Sequence, residues 1–156
     1  MPEAGLVYTA VMDEVSITNA NTPQDLFEIS TPAGISCFIL EIRLSVLEVV
    51  ATEKRLVQWH RGTATGSGGG TITPSPHDEA AAASGITVER NNTTQSVQTG
   101  LLGGVYWNPI NDLLLLPVPK GRWYVPPSQF FIVSLGTDFT ADPITMSGSV
   151  TYLELG

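Results

Sequence analysis

The stretch Ile35-Ser-Cys-Phe-Ile-Leu-Glu-Ile-Arg-Leu-Ser-Val-Leu47 decides how the rest of the chain reads. Its even positions Phe38, Leu40, Ile42, Leu44 and Val46 are all apolar, and Glu41, Arg43 and Ser45 fall between them. A helix would wrap Leu40, Glu41, Leu44 and Ser45 onto one mixed face. A pleated strand sends successive side chains to opposite sides and so separates the aliphatics from the charges. The spacing predicts a long antiparallel strand with its even face on a core. Ile35, Cys37 and Ile39 add apolar residues to the odd side, so the first half is expected to be covered on both faces and the second half to be wet on one.

Working outward, the same two-residue period recurs. Gly5 to Met12, Glu14 to Thr18 and Asp25 to Ser30 alternate, the last with Phe27 and Ile29 opposite Glu28. Thr31-Pro-Ala-Gly34 is a turn by composition and predicts a hairpin-like pair with the deciding strand. Further strands are expected at Leu56 to Arg61, Ile86 to Arg90, Gln95 to Asn108 with a bend at Gly103-Gly104, Leu113 to Val118, Arg122 to Val125, Gln129 to Leu135 and Ile144 to Leu155. Asn19 to Pro23, Asn91 to Thr94 and Gly136 to Pro143 read as turns, and Glu48 to Arg55 as a strand end plus loop. Gly62 to Thr73, with Gly66, Gly68, Gly69 and Gly70 among Ser and Thr, is expected to be a mobile surface loop. Asp78 is placed to cap a single helical turn over Glu79 to Ser84, closed by Gly85. Many short strands, turn signals at regular spacing and no βαβ alternation predict an all-β, antiparallel β-sandwich with jelly-roll wiring. Residues 1–156 form one domain in this reading, with Met1 to Met12 as an N-terminal arm.

Composition excludes several function classes. A chain of 156 residues can bury roughly two thirds of its unfolded surface in one core. The charged fraction of 14% is low, and 15 Gly with 11 Pro match a molecule of strands and turns. The net charge is -8, and the seven basic residues are scattered from Arg43 to Arg122, so no cationic face exists to displace counterions from nucleic acid. The single cysteine, Cys37, forbids an internal disulfide and reads as a small buried hydrophobe. Met1 to Gly5 lacks the basic and apolar regions of a signal peptide, and no apolar run approaches the roughly 18 residues of a membrane span. The chain is therefore expected to be soluble, made in a cytosol, with no nucleic-acid or membrane partner.

Motifs for chemistry are missing, so no catalytic, metal or cofactor residue is assigned. A cupin-type metal site wants His-x-His plus a carboxylate, whereas His60 and His77 stand apart. Ala64-Thr-Gly66-Ser67-Gly68 lacks the strand-turn-helix setting of a nucleophile, and Gly66 to Gly70 lacks the Gly-Lys-Ser/Thr ending of a phosphate cradle. Asn91-Asn92-Thr93 and Asn92-Thr93-Thr94 fit a glycosylation acceptor but read better as turn residues. Asp138 and Asp142 miss the spacing of a calcium loop. The pairs Tyr106-Trp107 and Trp123-Tyr124 are candidates for binding sugar rings or anchoring a partner, against a rim-of-core alternative. The leucines Leu113 to Leu116 do not alternate and are expected to be covered on both faces or to meet another subunit. The hydroxyl-rich side of the last strand, Thr145, Ser147, Ser149 and Thr151, suits another sheet or subunit as well as water.

In the order Trp59-His60-Arg61-Gly62, Thr65-Gly66-Ser67-Gly68-Gly69, Thr73-Pro74 and Glu89-Arg90-Asn91-Asn92-Thr93-Thr94, the chain resembles a family of small tailed-bacteriophage virion proteins, over most of its length. The resemblance implies a compact β-sandwich without catalytic residues. It further implies a capsid decoration or cement protein on the outer surface of the head, with the major capsid protein and its own copies, as a homo-dimer or homo-trimer, for partners. The alternative reading is a head-fibre or tail-tip module that binds a host receptor or glycan through the Trp107 and Trp123 regions.

Overall fold

Ile42 and Leu44 are buried and Arg43 between them is exposed, as the two-residue period requires. The computed structural model describes residues 5–18, 23–47, 54–117, 123–136 and 143–156. Among them are twelve strands and no helix: β1 (Leu6–Ile17), β2 (Gln24–Ser30), β3 (Ser36–Val46), β4 (Arg55–Ala64), β5 (Gly70–Ile72), β6 (Ser75–Pro76), β7 (Thr87–Asn92), β8 (Val97–Trp107), β9 (Leu113–Leu115), β10 (Trp123–Val125), β11 (Phe130–Leu135) and β12 (Ile144–Leu155). Sheet I runs β6-β1-β12-β3, with β10 and β9 both paired to the far side of β3. Sheet II runs β5-β7-β2-β11-β4-β8. Every described pairing is antiparallel, and the chain is an all-β sandwich of these two sheets.

One core joins the inner faces. Tyr8, Met12, Ile42, Val150 and Tyr152 from sheet I meet Phe27, Ile29, Phe131 and Val133 from sheet II, all essentially fully buried. Each large side chain taken out of water contributes about 1.5–3 kcal/mol, which makes these inward rows the main source of stability. Trp123 tilts onto Trp59 and stacks on Phe131, with ring centroids at 4.9 and 5.5 Å, closing the core near one end.

Bulges set which parity faces inward. Tyr152 pairs with Ile39 and Thr151 with Glu41, so Leu40 is extra on β3. The inward set therefore switches from Cys37 and Ile39 to Ile42 and Leu44, and the expectation that Phe38 and Leu40 share the core face with Ile42 is corrected. Phe38 instead lies on the outer face against Tyr124, at 5.1 Å. β1 carries a second bulge between Met12 and Val15, with Glu14 at φ 43°, which joins the two expected short strands into one.

Several expectations change. Thr31 to Gly34 does turn the chain, with Ile35 N–H on the Pro32 carbonyl and Gly34 at φ 86°, but β2 and β3 enter different sheets and are not a hairpin. The expected helical turn after Asp78 is only a tight turn: Asp78 Oδ1 accepts from Ala80 N–H and the Asp78 carbonyl from Ala81 N–H. Beyond it the Ala82 carbonyl takes the Tyr8 hydroxyl at 2.8 Å, and Ser84 Oγ bonds to Tyr152 and Glu154. Tertiary bonds to buried tyrosines thus displace a helix too short to hold by itself. Leu6 to Met12 is no arm, because β1 lies between β12 and β6 and buries Tyr8, Ala10 and Met12. The expected turns at Asn19 to Pro23 and Gly136 to Pro143, and the strand end plus loop at Glu48 to Arg55, lie mostly outside the described residues.

Candidate functional site

Two surfaces stand out, one on the outside of each sheet. On sheet I the outward residues of β1, β12 and β3 form a groove of about 510 Å³ lined by Thr9, Val11, Arg43, Ser45, Ser149 and Leu114 among others. Val11 and Leu114 are 55% and 48% exposed, and the β12 row Thr145, Ser147, Ser149 and Thr151 is half-buried. The hydroxyls bond within the face: Thr9 Oγ1 meets Thr151 Oγ1 at 2.9 Å and His77 Nε2 at 2.8 Å. Arg43 pairs with Glu41 at 2.5 Å in the open, which contributes little to stability. The face is partly apolar and weakly charged, with Asp112 in the groove lining and Asp13 accepting from Ser147 Oγ.

On sheet II the outward side is a buried polar layer that the alternation did not reveal. Asp25, Glu28, His60, Asn92, Ser96 and Ser134 are all buried. Asp25 comes to this side because β2 bulges at Leu26, where Val133 pairs with Phe27 and Ser134 with Asp25. The cover is the glycine-rich segment, which is tied down rather than loose. Glu28 accepts Gly66 N–H on both oxygens, Asn92 Oδ1 accepts Gly69 N–H at 3.0 Å, and Ser67 bridges to Thr94. A Cβ on Gly66 would meet the Thr94 carbonyl, and one on Gly69 the Arg90 carbonyl, so close backbone approach accounts for glycine at both positions. Asp25 accepts Ser96 N–H at 2.6 Å and Gln98 Nε2 at 3.2 Å, fastening the segment before β8.

The electrostatics follow from this burial. Desolvation, with the adjacent Asp25 carboxylate, pushes Glu28 up to about 7 against the opposing hydrogen bonds from Asn92 and Gly66. Burial lowers His60, partly offset by Asp25, and its Nε2 has no hydrogen-bond partner. Burial pushes Cys37 up to about 12, which makes it a poor nucleophile. His77 lies against sheet I and His60 in sheet II, so the two histidines do not converge. No group of three His, Cys, Asp or Glu among the described residues is arranged to hold a metal ion.

The remaining candidates separate cleanly. Trp107 is buried and donates Nε1–H to the Asn111 carbonyl at 2.6 Å, and Trp123 packs inside, so neither presents a free ring face. Tyr106 and Tyr124 are 69% and 39% exposed. Leu113 and Leu115 pack on the core while Leu114 and Leu116 face outward, so β9 alternates after all and is not covered on both faces. Asn92 is a buried strand residue rather than an exposed turn residue, and Asn91 takes the left-handed conformation at φ 55°. Asp138 and Asp142 lie outside the described residues.

Compared with protein-family models, curated protein sequences and solved structures, the chain matches none.

Proposed function

We propose that the chain is a structural protein of a tailed-phage virion, a decoration or cement protein that binds the outer surface of the head and stabilises capsomer contacts. In this reading it is made in the host cytoplasm and resides on the capsid surface, with the major capsid protein and its own copies as partners. The observation that carries the reading is the outer face of sheet I, where a hydroxyl row, Val11 and Leu114 flank a groove that also holds Asp112 and Arg43 of the exposed Arg43–Glu41 pair. A partly apolar, hydroxyl-rich face with few charges suits burial against another protein, and many weak copies on a lattice add by avidity. The strand order supports jelly-roll wiring, an architecture that recurs in capsid proteins: β1, β12, β3 and the β9/β10 edge on one side, β2, β11, β4 and β8 on the other. An acidic chain of net charge -8 also sits readily outside a shell filled with nucleic acid.

The alternative, a receptor- or glycan-binding module on a head fibre or tail tip that makes contact through the Trp107 and Trp123 regions, keeps only Tyr106 and Tyr124 of its aromatic pairs exposed, since Trp107 and Trp123 are packed inward. Co-sedimentation of the purified chain with heads lacking it tests the reading. Wild type is expected to saturate the heads, and Val11→Glu with Leu114→Glu to reduce occupancy at least tenfold with an unchanged circular dichroism spectrum. Absence of wild-type binding to heads overturns the function, and undiminished binding of the variant overturns the assignment of the face.

A further inference from the structure

The far edge of sheet II is β8, eleven residues long, and among the described residues no strand pairs with its outer side. Such an edge leaves backbone N–H and C=O groups ready to template another strand, and monomeric proteins blunt it with lysine, proline or inward charges. β8 has none of these, and the run from Asn91 to Asn111 carries no charge in a chain of net charge -8. Leu101 and Tyr106 are 61% and 69% exposed along it. Bulges at Thr99 and Leu102 interrupt its pairing with β4, but from Gly103 to Trp107 the register against Arg55 to Trp59 is unbroken.

We propose that this segment pairs with the same segment of a second copy, antiparallel about a two-fold axis at Val105, so that two copies of sheet II become one continuous sheet. In that register Tyr106 of one copy lies opposite Gly104 of the other, and Trp107 opposite Gly103. The exposed Tyr106 ring then covers a glycine, a cross-strand combination that strengthens an otherwise weak glycine position. The neutrality of the edge argues for a second copy: two like-charged bodies can approach along a strip without charge, whereas a basic strand would find no carboxylate there to recognise. A two-fold pairing also uses up the edge on both sides, giving a closed dimer rather than a fibre. This contact stands apart from the sheet I face and does not depend on the shell.

Sedimentation equilibrium of the purified chain, from low micromolar to a few hundred micromolar, tests it. A reversible monomer–dimer equilibrium is expected, shifted at least tenfold toward monomer by Leu101→Lys with Tyr106→Lys. Both side chains are mostly exposed, so the circular dichroism spectrum and melting temperature should not change. Hydrogen exchange gives the second readout: amide protection across Gly103 to Trp107 is expected to rise with wild-type concentration and not with that of the variant. A chain that stays monomeric throughout, or an oligomer that survives the double substitution, overturns the proposal.

Discussion

Both oxygens of the Glu28 carboxyl group accept the backbone N–H of Gly66, at 3.0 and 2.9 Å, and this contact fastens the glycine-rich segment over sheet II. Burial holds Glu28 at about 7, above the ordinary 4.5 that it regains on unfolding. The folded state therefore retains a proton that the unfolded chain releases at lower pH. The stability linked to this group is complete below the unfolded value and is lost as pH rises through about 7. Between about pH 5 and about pH 8 the wild-type melting temperature should fall about 5 °C further than that of Glu28→Gln, whose amide oxygen still accepts from Gly66. Parallel melting curves for the two proteins would count against the assignment.

The same segment offers a matched pair of glycines. A Cβ at Gly69 runs into the Arg90 carbonyl and Asn92 Oδ1, whereas one at Gly70 meets nothing nearer than Arg90 Nε at 3.9 Å. Gly69→Ala is expected to destabilise the protein by about 2 kcal/mol, and Gly70→Ala by less than about 0.5 kcal/mol. Urea denaturation of both variants checks the contrast.

Adjacent phenylalanines on β11 should respond very differently. Phe131 is fully buried, with its ring 5.5 Å from that of Trp123, while Phe130 lies on the partly open side. Phe131→Ala should cost about 3–5 kcal/mol, and Phe130→Ala under about 1 kcal/mol. Denaturant midpoints at unchanged slope would establish both values.

Removal of Met1 to Met12 tests the role of β1. It deletes three buried side chains, Tyr8, Ala10 and Met12, together with the pairing of β1 to β12 across Leu6 to Met12. The truncated chain is expected to lose its near-ultraviolet circular dichroism signal and its cooperative melting transition. A well-folded product impaired only in attachment would restore the arm.

The alternation of apolar residues announced strands because side-chain direction is a local property of the backbone. It reached the inward set of β12, Ile144, Met146, Val150 and Tyr152, without error. It failed on β3 at Leu40, because a bulge is settled by the partner strand and Leu40 itself looks like any other inward residue. It failed again at Thr31 to Gly34, where the turn was legible but the sheet that each flanking strand joins was not. The polar layer was hidden for a related reason. Asp25 and Glu28 alternate with apolar neighbours as solvent-facing residues do, and only the fold brings Gly66 and Ser96 over them. The hydroxyl row of β12 was legible as a face, although nothing local specified the groove beside Leu114.

The proposed function requires that the chain lie against a larger shell. A cryo-EM reconstruction of the phage particle proposed to carry the chain is the most direct measurement. One copy or a symmetric cluster is expected at repeated positions on the head lattice, with Val11 and Leu114 turned toward the capsid. Density for the chain only at the tail, or none on the particle, would contradict it.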